Sequence, residues 1–395
     1  MLSIRHASPT TSFKLQYFIL IAVIVVAGLS QGMLLPVLSI LLDRMGVPPS
    51  LNGLNAAALY IGSFAMTVIA ERTLGFLGFK KLIAGGLALV LVTVLVFPLI
   101  PDVRLWFVLR LLVGVGDSAL HYSTQLWVLM MAPPETRGRN ISFYGMSYGL
   151  GFSLGPLGIR LLDWGMAVPF ILMAVLLLIV LVCALCWLPS AHPETHETAA
   201  KPDRARYRKS YSWAWYALLP AFLYGYMEAS MNSNFPLYGL RIGYTESQIS
   251  ALMPFLGLGG LLLQLPLGIW SDRWGRKKVL IISALAGGVL FMLVPWSGTQ
   301  FVWSMLLLAA AGGLVGSFFS LGLAYAADIM PRSLLPAANV VASFHFSIGS
   351  IAGPNLGGLL LDYTVPGSLF LLLGAFYILF GLLGVGFRSR KLEAS

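Results

Sequence analysis

Charged residues and cysteines are scarce in this chain. Asp, Glu, Lys and Arg make up 10% of its 395 residues, whereas a soluble domain carries roughly 25%. The two cysteines, Cys183 and Cys186, lie three residues apart in one apolar run, with no further cysteine to complete a disulfide or metal site. We interpret them as small packing residues. The shortage of charge argues against an ordinary soluble protein.

Long apolar runs take the place of the missing charge. Hydrophobic residues account for 58% of the chain, and a membrane-spanning helix needs about 20 of them in succession. The first run is too long for a signal peptide, so we interpret it as a retained helix. The runs predict an all-α membrane protein with twelve spans, at residues 17–42, 53–75, 81–100, 104–131, 139–162, 166–188, 214–238, 247–270, 278–297, 301–327, 336–360 and 366–387.

The chain carries a net charge of +10, and the positions of its basic residues indicate why the charge is positive. An even number of spans puts both termini on one side of the membrane. If that side is cytoplasmic, about 20 of the Lys and Arg residues fall there, as the positive-inside rule requires. Four arginines face outward: Arg44, Arg104, Arg160 and Arg241. The charge therefore predicts a cell-membrane protein with cytoplasmic termini and no nucleic-acid partner.

The second half of the chain repeats the first at an offset of 198 residues. The Gly-Pro motif in span five is Gly151, Gly155 and Pro156, and its fuller copy in span eleven is Gly349, Gly353, Pro354, Gly357 and Gly358. A single long polar stretch, residues 190–212, separates the copies. We predict a six-helix bundle over 1–189, a cytoplasmic linker over 190–212 and a second bundle over 213–395. Duplicated membrane bundles are typical of secondary transporters.

The loop between spans eight and nine carries the most specific motif. It consists of Gly268, Asp272, Arg273, Gly275, Arg276 and Lys277. The motif resembles the cytoplasmic loop signature of the major facilitator superfamily. The resemblance implies two pseudo-symmetric six-helix bundles that work by alternating access, with this loop as a cytoplasmic gate. Asp272 is placed either to cap the next helix or to pair with an arginine.

The matching loop between spans two and three departs from this signature. Gly75 stands where the family has an aspartate, and Glu71 occupies the first glycine position. Either Glu71 replaces the missing carboxylate from one turn earlier, or gating depends on the second-half loop.

Polar residues form a stripe in span four. On a helix, Arg110, Asp117 and His121 fall within an arc of about 40°. Each charge placed in mid-membrane costs about 2.5–3.5 kcal/mol on insertion scales, so the stripe must line a cavity or pair internally. Glu228 and Asn232 share a face of span seven in the same way. Buried carboxyl groups are candidate proton carriers. An Arg110–Asp117 interaction bridged by water or another helix, or a packing role for Glu228, would instead be purely structural.

The Gly-Pro motif resembles the one found in drug/proton antiporters, although glycines four apart also serve simple helix packing. This resemblance implies proton-coupled efflux of a small amphipathic or drug-like molecule, with the proton gradient as energy source and no cofactor. The alternatives are proton-coupled uptake or exchange of a small organic anion, and a membrane receptor or scaffold without transport. No nucleophile–base pair or metal-ligand cluster stands out, so we expect no enzyme and no metal site. The expected partners are a small-molecule substrate, protons and lipid, with a monomer as the working unit.

Overall fold

The computed structural model describes residues 4–6, 13–133, 135–193 and 204–388, and this part of the chain is mostly helical. Two three-residue strands, β1 (Ile4–His6) and β2 (Ala191–Pro193), pair antiparallel. Residues 194–203 of the predicted linker lie outside the described ranges. The α-helices are α1 Phe13–Arg44, α2 Pro49–Leu77, α3 Phe79–Val96, α4 Val103–Met131, α5 Arg137–Leu154, α6 Val168–Trp187, α7 Arg204–Ile242, α8 Glu246–Trp274, α9 Arg276–Leu293, α10 Phe301–Val315, α11 Phe318–Ile329, α12 Leu335–Tyr363 and α13 Ser368–Gly386.

Two of the predicted spans are broken. Span five consists of α5 followed by a 3-10 helix over Gly155–Trp164, and the change occurs where Pro156 removes a backbone donor. Span ten is divided into α10 and α11. Pro354, at the equivalent place in the second Gly-Pro motif, lies inside the continuous helix α12. The same motif thus ends one α-helix and is tolerated within another.

Nine segments of the described chain are helical, long and apolar enough to cross a membrane. The three predicted spans that are not among them form α4, α5 with its 3-10 extension, and α7. Helices α4 and α7 carry the predicted polar stripes, and α5 begins with basic and hydroxyl-bearing residues. The total of twelve spans therefore stays a prediction.

The chain divides into two compact units. The first consists of Met1–Leu38 and Asn55–Thr198, and the second of Ser39–Leu54 and Ala199–Ser395. The hairpin that joins α1 to α2 therefore packs with the second unit, although its sequence lies within the predicted bundle 1–189.

The Gly-Pro motifs bring pairs of helices into backbone contact. In the first unit, a side chain on Gly151 of α5 would overlap the carbonyl of Val25 in α1. In the second unit, a side chain on Gly349 of α12 would overlap the carbonyl of Phe222 in α7. Because both partners of each contact recur at almost the same offset, the duplication extends from the sequence to the packing.

A second repeated contact joins α2 to α4 and α8 to α10. Gly114 lies against the carbonyl of Leu59, and Gly312 lies against the carbonyl of Leu256. Between membrane helices, such small-residue contacts replace the hydrophobic driving force that lipid does not supply.

We predict that Gly114→Ala and Gly312→Ala destabilise the protein by about 1–3 kcal/mol each, because the added methyl group overpacks a backbone contact. The matched control is Gly85→Ala in α3, where a methyl group would meet no atom within 4 Å. That change should stabilise its helix by up to about 1 kcal/mol. Melting temperatures of the purified variants in detergent show whether each change raises or lowers stability. A Gly312→Ala variant as stable as Gly85→Ala would contradict the proposed contact.

Candidate transport site and gating elements

The α4 stripe lies inside the first unit. Arg110 is 1% exposed and Asp117 is 6% exposed, while His121 is half-buried. Within the described chain, the Arg110 guanidinium forms no hydrogen bond, and the Asp117 carboxyl forms neither a hydrogen bond nor an ion pair. Arg110 and Asp117 therefore make no direct contact, and the bridged Arg110–Asp117 interaction considered from the sequence stays a prediction.

Tyrosines from α5 enclose His121. The Tyr148 ring meets the imidazole edge-on, with ring centroids 4.2 Å apart, and its hydroxyl donates to Oε1 of Gln31 on α1. The Tyr144 ring lies at 6.4 Å, and its hydroxyl is 2.8 Å from Oγ1 of Thr124. These contacts join α1, α4 and α5 in one polar network beside Asp117.

Glu228 and Asn232 lie on α7 in the second unit. The Tyr224 hydroxyl forms a hydrogen bond with the Glu228 carboxyl. Asn232 is 7% exposed, and its Nδ2 donates to the backbone carbonyl of Glu228 at 2.8 Å, so it does not contact the carboxyl group through this bond. Glu228 itself is half-buried. No cation forms an ion pair with it among the described residues.

The loop motif forms an ionic network between α8, α9 and α11. Arg276 Nη2 lies 3.0 Å from Oδ1 of Asp272, and Arg276 Nε donates to Oδ2 of Asp328 at 2.7 Å. Gly275 makes the turn with a φ of 92° and precedes α9 without a side-chain cap. Of the two roles considered for Asp272, the structure therefore forms the arginine pair.

Other members of this loop have different surroundings. Lys277 Nζ donates to the carbonyl of Phe387 at 2.6 Å. Arg273 is exposed and forms no hydrogen bond or ion pair in the described chain. Gly268 has open space around it.

Among the residues that the structure describes, the first-half loop forms no equivalent network. Glu71 forms no ion pair or hydrogen bond with the residues that the structure describes, and Gly75 has no neighbour within 4 Å of an added side chain. Gly78, with a φ of 76°, makes the turn and packs against Ala191 and His192. Glu71 therefore does not replace the missing aspartate through any contact seen in this structure.

All members of the Gly-Pro motifs are buried or closely packed. Asn234 of α7 donates through Nδ2 to the carbonyls of Gly353 and Pro354, at 3.4 and 3.3 Å. The motif residues that are buried or closely packed are Gly151, Gly155 and Pro156 in the first unit, and Gly349, Gly353, Pro354, Gly357 and Gly358 in the second. These contacts give both motifs a role in helix packing.

Sequence reasoning missed Asp328, Gln31 and Asn234. Asp328 was detectable as a lone carboxylate at the predicted cytoplasmic end of span ten, where most loops are basic. Gln31 and Asn234 resemble ordinary polar residues of membrane helices, and no spacing rule indicated their partners.

We predict that Arg276→Ala lowers stability by up to about 1 kcal/mol, because two carboxylates lose their common, partly exposed partner. Lys278→Ala is the matched control: it removes the same charge from the same loop, and Lys278 forms no hydrogen bond or ion pair within the described ranges. Thermal unfolding of the two variants separates the stability that the ionic network contributes from the effect of removing any one positive charge from this loop. Equal losses in both would show that the network contributes nothing specific.

The family model of the Major Facilitator Superfamily (MFS) matches residues 20–261 and 221–394. The MFS-type transporter YfkF of Bacillus subtilis, described as uncharacterized, is 38% identical over 359 residues, which cover 90% of this chain and 91% of YfkF. Multidrug resistance protein 2 of the same bacterium is 23% identical over 363 residues, covering 89% of this chain and 90% of that protein.

Solved structures share the fold at low identity. A bacterial homologue of the human lysosomal transporter Spinster, in an inward-facing and occupied conformation, has a TM-score of 0.73 at 12% identity, over 94% of this chain and 95% of that one. The nucleoside transporter NupG has a TM-score of 0.69 at 13% identity, over 94% and 98%. Together with the family match, these findings establish that the chain belongs to the major facilitator superfamily and is a multi-pass membrane transporter, not an enzyme.

Proposed function

We propose that the chain exports a small amphipathic molecule in exchange for protons across the cell membrane, with both termini in the cytoplasm. The observation that carries the proposal is Asp117, an acidic side chain that is 6% exposed and has no cation partner among the described residues. A buried carboxylate without a counter-ion is costly, and protonation removes the cost. This is the environment expected of a group that binds and releases protons.

Glu228 supplies a second carboxyl group, in the other unit. Its hydrogen bond from Tyr224 is neutral, so proton binding at Glu228 does not have to break an ion pair. In an exchanger, substrate and proton compete for the same polar groups, and the proton gradient supplies the energy without a cofactor. Each copy of the chain carries both carboxyl groups, so a monomer suffices for this mechanism.

The relatives support export in a limited way. A protein named for multidrug resistance matches most of this chain at 23% identity. That name favours a drug-like, amphipathic substrate over a small hydrophilic one.

We predict that Asp117→Asn and Glu228→Gln each abolish proton-driven transport while leaving the protein folded, because each removes one site of protonation and little volume. Proteoliposomes with an imposed pH gradient and ethidium as a fluorescent amphipathic probe provide the measurement. Asp163→Asn and Glu135→Gln are matched controls, since both residues are exposed and form no hydrogen bond or ion pair in the described structure. Full transport by both the Asp117→Asn and the Glu228→Gln variant would refute the coupling role.

A second candidate function is proton-coupled uptake or exchange of a small organic anion. The observation in its favour is the Arg110 guanidinium, which is 1% exposed and forms no hydrogen bond with the described residues. A carboxylate could satisfy such a group through paired hydrogen bonds.

The direction of proton-driven flux distinguishes the two functions. For an exporter, we predict that a proton gradient directed into the vesicles drives loss of preloaded ethidium and leaves radiolabelled benzoate unaffected. An anion importer would instead accumulate benzoate under the same gradient, and Arg110→Gln would prevent that accumulation. Benzoic acid also enters protein-free liposomes by passive diffusion, so only benzoate accumulation beyond that of protein-free liposomes would replace the first proposal with the second.

A further inference from the structure

Helix α7 begins with a short stretch of basic residues that is set off from its membrane span. At Ala214 the backbone leaves the helical region, with a φ of −137° and a ψ of 27°, so α7 is kinked there. The stretch before the kink, residues 204–213, is named the basic segment. It contains no acidic residue, and its basic residues are Arg204, Arg206, Arg208 and Lys209.

The length of α7 places the basic segment at the polar surface of a bilayer. The rest of the helix, residues 215–242, is about 42 Å long at 1.5 Å per residue, and a bilayer with its headgroups is about 40–45 Å thick. The basic segment therefore lies outside the hydrocarbon, next to its boundary. Tyr211 and Trp213 stand at this junction, and tyrosine and tryptophan are enriched at the interface between membrane and water.

Two hydrogen bonds fix one face of the basic segment on the residues that lead into α12. Arg206 Nη2 donates to the carbonyl of Ser333 at 3.1 Å, and Ser210 Oγ donates to the carbonyl of Leu334 at 3.3 Å. Arg206 and Ser210 are four residues apart, so they share a face of the helix. This face packs on the protein, which leaves the remaining faces of the segment to meet the surroundings.

Two basic side chains of the segment have no partner within the described chain. Arg208 and Lys209 are exposed, and their side chains form no hydrogen bond or ion pair with the residues that the structure describes. The carboxylates of the loop network, Asp272 and Asp328, are already shared by Arg276. An anionic group from outside the chain can therefore bind Arg208 and Lys209 without displacing a protein contact.

The internal repeat shows that the basic segment is a feature of the second half alone. The contact of Gly349 with Phe222 repeats that of Gly151 with Val25, which aligns α7 with α1. Residues 204–213 then correspond to residues 7–16, where Lys14 is the single basic residue. Because α1 begins without such a segment, the bias that orients membrane helices does not by itself account for four basic residues at the start of α7.

We propose that the basic segment is a docking surface for the phosphate headgroups of anionic phospholipids, with Arg208 and Lys209 as the residues that contact them. Basic residues next to a membrane span attract anionic lipid, by about fivefold in binding for each Lys or Arg. An exposed helix face offers a small soluble anion few groups at once, whereas a headgroup layer presents many phosphates side by side. The surface follows from the membrane-spanning fold and depends neither on protons nor on the transported molecule.

Hydrogen–deuterium exchange of the purified full chain in lipid nanodiscs tests the docking surface without any substrate. We predict that the peptide covering residues 204–213 exchanges about fivefold more slowly in nanodiscs of phosphatidylglycerol and phosphatidylcholine in equal parts than in phosphatidylcholine alone, because bound headgroups hold the segment in place. Arg208→Gln combined with Lys209→Gln should remove this protection. Salt at about 1 M should weaken it in the wild-type chain, since charges are then screened beyond about 3 Å.

Two matched controls keep the protection if charge at this place is its cause. Arg208→Lys combined with Lys209→Arg preserves both charges. Arg104→Gln combined with Arg160→Gln removes two exposed arginines of the first unit that form no hydrogen bond or ion pair in the described chain. If the double glutamine variant of the basic segment does not fold, Arg208→Gln and Lys209→Gln alone should each lose part of the protection.

Three results would overturn the lipid docking surface. The first is equal exchange of the wild-type peptide in the two kinds of nanodisc, and the second is protection by phosphatidylglycerol that survives in the double glutamine variant. The third is equal protection by excess inorganic phosphate in phosphatidylcholine nanodiscs, which would assign the surface to a soluble anion. These readouts do not involve transport, so they are unaffected by the outcome of the ethidium measurements.

Discussion

Backbone contact at glycine is the constraint on which the rest of this structure depends. Lipid gives apolar helices no reason to prefer one another, so close packing must fix how each helix is rotated. Gly114 shows the consequence. It lies on α4 between Arg110 and Asp117 and rests on the carbonyl of Leu59. The same face of α4 carries Arg110 and Asp117, and both side chains are buried, at 1% and 6% exposure.

Much of the fold was predictable because periodicity and charge bias are local signals. The polar stripe of α4, the repeat and the loop motif all follow from residues a few positions apart. The break after Gly155 was less predictable, since Pro156 ends an α-helix whereas Pro354 does not. In α12, Asn234 of the neighbouring helix α7 donates to the carbonyl of Pro354, a contact that connects residues 120 positions apart. Contacts such as Arg44 with Glu246, 202 residues apart, leave no local signal at all.

The two halves have diverged in how they use charge. The second unit holds paired charges, in the Asp272–Arg276–Asp328 network and in the Arg44–Glu246 pair. In the first half, Glu71 and Asp163 form no hydrogen bonds or ion pairs within the described residues. The first unit instead buries Arg110 and Asp117 without pairing them. Paired charges suit contacts that open and close, whereas unpaired buried ones suit binding.

The spacing within α4 explains how two opposite charges remain unpaired on one face. Residues four apart on a helix are neighbours and would form an ion pair, but Arg110 and Asp117 are seven apart, which is about 10 Å of rise. Two turns keep them on the same face and out of contact. A closer spacing would neutralise both side chains in a permanent ion pair and leave neither free to bind a proton or a substrate. The seven-residue interval therefore keeps the Asp117 carboxyl out of contact with Arg110, as the proposed proton binding requires, while Gly114 between the two residues packs α4 against α2.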